Sequence, residues 1–302
     1  MKARPSRLRT VYNDARTTLK HKPRVAFVYI LLRFLVILTI IAQFFNRNFE
    51  NVFLGMLTLV LFVLPTIFER RLMVDLPDTL EIIILLFIFS AEILGEIQAF
   101  YTTFLGWDTI LHTLNGFLCA AIGFSLVDML NRSERFSLSL SPVFMAIVAF
   151  CFSMTIGVLW EFFECAMDHL LLFDMQKDMV VNSISSVSLD PTNSNQTVII
   201  RDITDVIVVS GGKEISLGLG GYLDVGLLDT MKDLWVNFIG AVVFSLIGYF
   251  YVRHRGKGFL AKRFIPKVLS GLDELDFNPF DDTPEEREAK RKKRRKFFGK
   301  KE

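Results

Sequence analysis

Three short polar stripes interrupt otherwise apolar stretches of this chain: Asp108, His112 and Asn115; Glu161, Glu164 and Asp168; and Asp229, Asp233 and Asn237. Spacings of three and four residues place each stripe on one face of a helix. One imidazole among several carboxylates suits a divalent ion with mixed nitrogen and oxygen ligands, or proton transfer between a general base and a general acid. Glu92 and Glu96 add a like-charged i,i+4 pair, which is destabilising unless something relieves it. Together, eight carboxylates (Glu92, Glu96, Asp108, Glu161, Glu164, Asp168, Asp229 and Asp233) meet two candidate cations, His112 and Lys232. Such a set cannot be both fully ionised and dry. Water, shared protons, a bound divalent metal or a cationic ligand would each resolve the conflict, and the sequence does not choose among them.

Helix capping offers a plainer account of some of these residues. Asp108 and Asp229 stand where helices begin, and acidic groups favour that end of the helix dipole. Capping does not cover Glu161 and Glu164, which approach a helix C-terminus, or His112 and Asp233, which lie a turn deeper. The residues expected to be catalytic are therefore His112, Glu161, Glu164 and Asp233. The same four with Asp108 are the expected metal ligands, and Asp168, Asp229 and Asn237 are expected in support.

The elements that must position these groups are long apolar runs. The chain has 302 residues, 52% of them hydrophobic, with 30 Phe. Six runs are near or above the roughly 20 residues that cross a bilayer: Val25–Phe45, Val52–Phe68, Thr79–Gln98, Trp107–Leu130, Pro142–Met167 and Asp229–Val252. No cleavable signal peptide is expected, because the first run is too long for one and lacks a small-residue cleavage site. Cys119, Cys151 and Cys165 all fall in apolar runs, without metal-site or disulfide spacing.

The net charge of +2 conceals an asymmetry. Residues 1–24 carry eight Lys or Arg, and residues 253–302 carry sixteen. Basic segments stay cytoplasmic, so both termini are expected inside and an even number of spans is required. Arg70 and Arg71, and then Arg132 and Arg135, mark two further inside loops. With that topology all the polar stripes lie near the outer face. His112 and Asp233 fall roughly 6–10 Å below the helix mouths at 1.5 Å per residue.

The expected fold is an all-α polytopic membrane protein of six transmembrane helices. A small β-rich extracytoplasmic flap (174–228) lies between helices five and six. Gly211-Gly212 marks a hairpin in it, and Asp190-Pro191 marks a turn. Residues 1–24 form a basic cytoplasmic segment, 25–252 the membrane domain and 253–302 a basic, partly disordered tail. Lys262–Leu272 is expected along the inner membrane surface. The cluster Arg287–Lys301 suits anionic lipid headgroups. No nucleic acid is expected, since the cluster has no accompanying recognition module.

Three blocks also carry a resemblance. Trp107-Asp108-Thr109-Ile110-Leu111-His112-Thr113-Leu114-Asn115-Gly116-Phe117, then Gly157-Val158-Leu159-Trp160-Glu161-Phe162-Phe163-Glu164, then Asp229 to Ala241 resemble the YjdF-like family of bacterial inner-membrane proteins. The last block, an Asp followed by Asn-x-x-Gly, is also similar to the VanZ-like family linked to glycopeptide resistance. The resemblance covers spans three to six and implies a multi-pass protein of the bacterial plasma membrane. It supplies no reaction.

Three classes of function fit these features. The first is a metal- or carboxylate-assisted hydrolase or transferase acting on an envelope or lipid-linked substrate. The second is a non-catalytic scaffold or regulator that binds a cation or a partner, and the third is a proton-coupled transporter or small oligomeric channel. The inner halves of the spans are almost wholly apolar, which disfavours a continuous ion path. Contact with the bilayer is common to all three, and a homo-oligomer is compatible with each.

Overall fold

A computed structural model describes residues 22–72, 74–132, 140–254, 263–265 and 267–268 of the chain. It is mostly helical. The elements run α1 Pro23–Phe45, α2 Phe49–Leu61, α3 Leu64–Leu72, β1 Val74–Asp75, α4 Asp78–Phe89, a π-helix Ser90–Ile97, α5 Phe100–Thr103, α6 Trp107–Arg132 and α7 Pro142–Leu171. Six short strands follow: β2 Val180–Val181, β3 Ile184–Ser186, β4 Val198–Ile200, β5 Ile207–Ser210, β6 Lys213–Ser216 and β7 Tyr222–Leu223. The last elements are α8 Leu227–Arg253 and β8 Lys267–Val268. The basic residues 1–21 and the cluster Arg287–Lys301 lie outside the described residues.

Among the described residues five helices are long and apolar enough to cross a membrane: Pro23–Phe45, Phe49–Glu69, Trp107–Asn131, Pro142–Leu171 and Leu227–Arg253. The expected count was six. The difference lies at Thr79–Gln98, where twelve α-helical residues give way to eight π-helical ones. The wider turn closes with the Gln98 N–H donating to the Ile93 carbonyl, five residues back, at 3.0 Å. The second span carries its own interruption at Phe62–Val63, between α2 and α3. Pro65 explains it: proline has no N–H to return to the Leu61 carbonyl.

The distribution of burial is that of a bilayer protein. Phe27, Phe34, Phe45, Phe53, Phe144, Phe162 and Phe250 are exposed, as are many Leu and Ile, while Glu161, Glu164, Asp229 and Asp233 are buried. A protein in water would not hold so much continuous apolar surface outward. Helices close most of their backbone bonds internally, so the same surface suits lipid.

The chain divides into two compact units, Met1–Met154 with Asn237–Glu302, and Thr155–Val236. In the first unit, Val25, Leu32 and Val36 of α1 pack with Phe62, Leu85 and Ile93. Ala120, Ala121 and Phe124 of α6 pack with Met145 and Ala149 of α7 and Ala241 and Phe244 of α8. Lys22, just before α1, gathers three carboxylates: Asp75 at 2.8 Å, Glu69 at 3.0 Å and Glu81 at 3.2 Å. It also donates to the Leu76 carbonyl at 2.8 Å. Burial alone would lower its pKa, but the hydrogen bonds to Asp75 and Glu69 and the charges of Glu81 and Glu69 outweigh it and hold the ammonium above its ordinary value.

Of the segment Lys262–Leu272, residues 263–265 and 267–268 are described. Ile265 is buried, the Phe264 ring meets Phe117 edge-on at 5.1 Å, and β8 pairs antiparallel with β1, Val74 opposite Val268. Apolar burial and a strand partner both hold it to the helices.

The second unit contains the flap, which is β-rich as expected but built only of two-stranded pieces. β2 pairs with β7, β3 with β4 and β5 with β6. The β5–β6 hairpin turns through Gly211 and Gly212, at φ 58° and 76°. Two consecutive positive φ values match the strand twist and favour glycine at both positions. The β3–β4 connection turns on Asp190. Its carboxylate accepts from Thr192 N at 2.9 Å and Oγ1 at 2.6 Å, Ser194 N at 2.9 Å and Oγ at 3.0 Å, and Gln196 N at 3.2 Å.

Led by the Thr192 hydroxyl, these donors hold the Asp190 carboxyl well below its ordinary pKa of 3.8. A depressed carboxylate contributes its full stability above the ordinary value and loses it as pH falls toward the folded one. Asp190→Asn is therefore expected to cut hydrogen-exchange protection across residues 192–200 about tenfold at pH 7, the weight of charge-assisted bonds. Wild-type protection should not change between pH 7 and pH 5. A variant with wild-type protection would show that the turn does not depend on the charge.

Candidate functional site

In the first unit, α6 and α8 run parallel and touch backbone to backbone. A Cβ on Gly116 would overlap the Asn237 carbonyl, and one on Gly240 would overlap the Thr113 carbonyl. Only glycine permits this approach, and in lipid such small-residue contacts supply much of the helix association. The approach lets Asn115 Nδ2 donate to Asn237 Oδ1 at 3.2 Å, and Asn237 is 1% exposed. Asn237 Nδ2 reaches Met154 Sδ at 3.6 Å, and Ser153 Oγ donates to the Gly116 carbonyl at 2.7 Å. Two residues of the sequence stripes, Asn115 and Asn237, are thus the polar clamp of α6 and α8, with α7 bonded to the same point.

One turn above the clamp on α6, His112 Nε2 lies 3.3 Å from Asp108 Oδ1. The i,i+4 spacing read from the sequence places the two side chains together. Both are part-buried, with side-chain exposures of 12% and 27%. The Trp107 indole donates to the Ser90 carbonyl at 3.3 Å, fixing the start of α6 against the start of the π-helix. Along that π-helix Glu92 is half-buried and Glu96 is exposed.

The second unit holds the remaining stripes. Glu161, Glu164 and Asp233 are 4%, 8% and 2% exposed. The chain leaving α7 reverses through Leu172 at φ 57° and forms a strap over residues 174–178. Asp168 fixes the strap to α7, accepting from Met175 N at 2.6 Å and Gln176 N at 2.8 Å. Asp229 fixes it to α8, accepting from Lys177 N at 2.8 Å, and also takes a bond from Lys232 Nζ at 2.5 Å. The Gln176 amide bridges Thr230 Oγ1 at 2.5 Å and Glu161 Oε2 at 3.5 Å. Glu161 of α7 is thereby drawn to the first turns of α8. Gly226, at φ 78°, leaves the space that the Gln176 side chain fills.

The carboxylates of this unit sort by partner. Asp168 and Asp229 serve the backbone of the strap. Glu164 accepts from the Trp160 indole at 2.7 Å, Glu161 meets an amide, and Asp233 lies 3.5 Å from Lys232 Nζ. These three are buried carboxylates, each with a side-chain donor beside it. Their chemistry is that of a hard divalent cation or a shared proton. Sequence reasoning missed Gln176 and the strap. The available signal was an amide and a lysine just past the end of the helix, in Asp174-Met175-Gln176-Lys177-Asp178.

A protein-family model described as "Predicted membrane protein (DUF2238)" matches residues 27–254. No curated protein and no solved structure matches the chain.

The glycine contact gives a graded test. Gly240→Ala puts a methyl group against a backbone carbonyl, whereas Gly123→Ala puts one against the Phe152 side chain. A side chain can yield more readily than a backbone. Gly240→Ala is expected to cost about 3 kcal/mol and Gly123→Ala about 1 kcal/mol, the upper and lower ends of overpacking. Thermal unfolding of the purified protein in detergent measures both. Equal melting temperatures for the two variants would remove the backbone contact as the cause.

Proposed function

We infer that this chain, which belongs to the DUF2238 family of predicted membrane proteins, is an integral multi-pass protein that binds a divalent cation at buried carboxylates. The observation that carries this reading is the burial of Glu161, Glu164 and Asp233 within helices of membrane-spanning length. Buried carboxylates in lipid require a compensating positive charge or a proton. Lys232, beside Asp229 and Asp233, supplies one charge to the unit. Asp108 and His112 join the ligand set on the strength of their sequence spacing and their mutual contact.

A divalent cation at such a site would polarise a phosphoryl or carbonyl oxygen and lower the pKa of a bound water. With His112 as ligand or general base, that chemistry suits a hydrolase or transferase acting on an envelope or lipid-linked substrate. The depth of the polar stripes supports this choice, because it matches a lipid headgroup. The second reading is a non-catalytic scaffold or regulator that binds a cation or a partner. It is favoured by the structural use of Asp168, Asp229, Asn115 and Asn237, which leaves fewer groups for chemistry.

The setting of the site is the bacterial plasma membrane, by resemblance to the YjdF-like and VanZ-like proteins. Six crossings with both termini cytoplasmic follow from the basic segments, the sixth crossing being α4 with its π-helical continuation.

Metal analysis of the purified full-length protein, equilibrated in turn with Mg²⁺, Mn²⁺, Zn²⁺ and Ca²⁺, tests the site. Equimolar binding of one ion is expected. Glu161→Gln, Asp233→Asn and His112→Ala should each weaken it about 10- to 100-fold, the effect typical of disturbing a metal's immediate surroundings. Protein that stays metal-free with all four ions rejects the cation reading. Retention by His112→Ala alone would remove the Asp108–His112 pair from the ligand set.

Orientation has its own experiment. A cysteine placed at Ser194, with the three native cysteines replaced, should react with a membrane-impermeant thiol reagent added to intact cells. Protection until lysis would invert the topology and put the carboxylates at the cytoplasmic face.

A further inference from the structure

The first unit carries a second candidate site away from the carboxylates. An open groove of about 340 Å³ runs between the first half of α7 and the second half of α8. Val143, Ile147 and Phe150 form one wall, and Leu246, Ser245 and Tyr249 form the other. Both helices are long and apolar enough to span the membrane, so the groove faces acyl chains. Its lining is apolar except for two hydroxyl residues, which share one helical ridge with Arg253.

That ridge has an ordered chemistry. Ser245, Tyr249 and Arg253 follow at i, i+4 and i+8, each about 6 Å further along the helix. Ser245 is 7% exposed, and its Oγ is buried without a hydrogen-bond partner. An unsatisfied hydroxyl in an apolar setting costs free energy that an ester carbonyl would restore. One turn on, the Arg253 guanidinium folds back to donate to Tyr249 Oη at 2.8 Å. Arg253 is exposed, and among the described residues no carboxylate pairs with it. In sequence, no Asp or Glu occurs from Phe250 to Leu272.

We propose that this groove binds one anionic glycerophospholipid from the leaflet at the Arg253 end. Its phosphate lies on Arg253, a backbone ester on Ser245, and one acyl chain against Val143, Ile147, Phe150 and Leu246. Ser245 and Arg253 stand eight residues apart, about 12 Å along the helix, a span that the Arg253 side chain shortens by folding back to Tyr249. Charge complementarity selects the headgroup, since an arginine recognises phosphate through several parallel hydrogen bonds. The apolar wall takes the chain without selecting it. This site is independent of the cation reading, because it shares no residue with it.

Native mass spectrometry of the full-length protein, with dioleoyl phosphatidylglycerol or dioleoyl phosphatidylcholine added in equal amounts, is the test. A single phosphatidylglycerol should be retained about tenfold better than phosphatidylcholine. Arg253→Gln should abolish that preference, and Ser245→Ala should lower phosphatidylglycerol retention several-fold. Ala146→Trp, which fills the groove, should reduce retention of both lipids. The melting temperature of each variant is compared with wild type, and the exposed Arg253→Gln variant carries the test if Ala146→Trp unfolds. Equal retention of the two lipids by the wild type, or an unchanged preference in Arg253→Gln, overturns the proposal. So does a protein dimer that Ala146→Trp dissociates, since a second copy would then be the occupant.

Discussion

The contact at Gly116 and Gly240 sets the register on which the first unit depends. Lipid offers two helices no hydrophobic reason to associate, because their side chains are as comfortable against acyl chains as against each other. Close backbone approach restores a reason through dispersion and through polar bonds too short-ranged to form otherwise. The Asn115–Asn237 bond exists because the glycines let α6 and α8 come together. Ser153 and Met154 then tie α7 to the same point. Phe124, Phe244 and the alanines at 120, 121, 149 and 241 fill the space one and two turns further on.

Within the second unit the same economy governs charge. A carboxylate in an apolar setting is tolerated when donors surround it, and a chain reversal supplies backbone N–H groups that need acceptors. Asp168 and Asp229 meet both needs at once, since each accepts from the strap that would otherwise leave its own donors unsatisfied. Elsewhere in the unit Glu161 meets the Gln176 amide, Glu164 the Trp160 indole and Asp233 the Lys232 ammonium. The acidic residues that hold the chain, Asp168 and Asp229, are therefore picked out by the strap, an element with no apolar signal of its own.

That explains what was legible in the residues and what was not. Long apolar runs announce helices because length and composition alone decide them, and α1, α6, α7 and α8 begin and end within a few residues of expectation. Gly211-Gly212 announced its hairpin because a local backbone requirement produces a local residue choice. The π-helix at Ser90–Ile97 was hidden, because a change from 3.6 to a wider turn leaves an apolar pattern looking apolar. The Lys22 cluster was hidden for another reason. Its partners at 69, 75 and 81 are far away in sequence, and only the fold brings them together. Asp108–His112 was readable as a pair because both members lie on one helix, whereas Gln176 gained its meaning only from Glu161 and Thr230 on two others.

The Lys22 cluster and the carboxylates of the second unit show two solutions to one electrostatic problem. Around Lys22, three carboxylates share a single ammonium that is only part-buried, with side-chain exposure of 17%, and Asp75 among them is 44% exposed. Water screens the surplus negative charge there, so the lysine suffices and its proton is held more tightly. Glu161, Glu164 and Asp233 are all below 10% exposed, as is Glu81 of the Lys22 cluster, whose ammonium lies 3.2 Å away. Burial, rather than the number of acidic residues, sets the cost of charge at these positions.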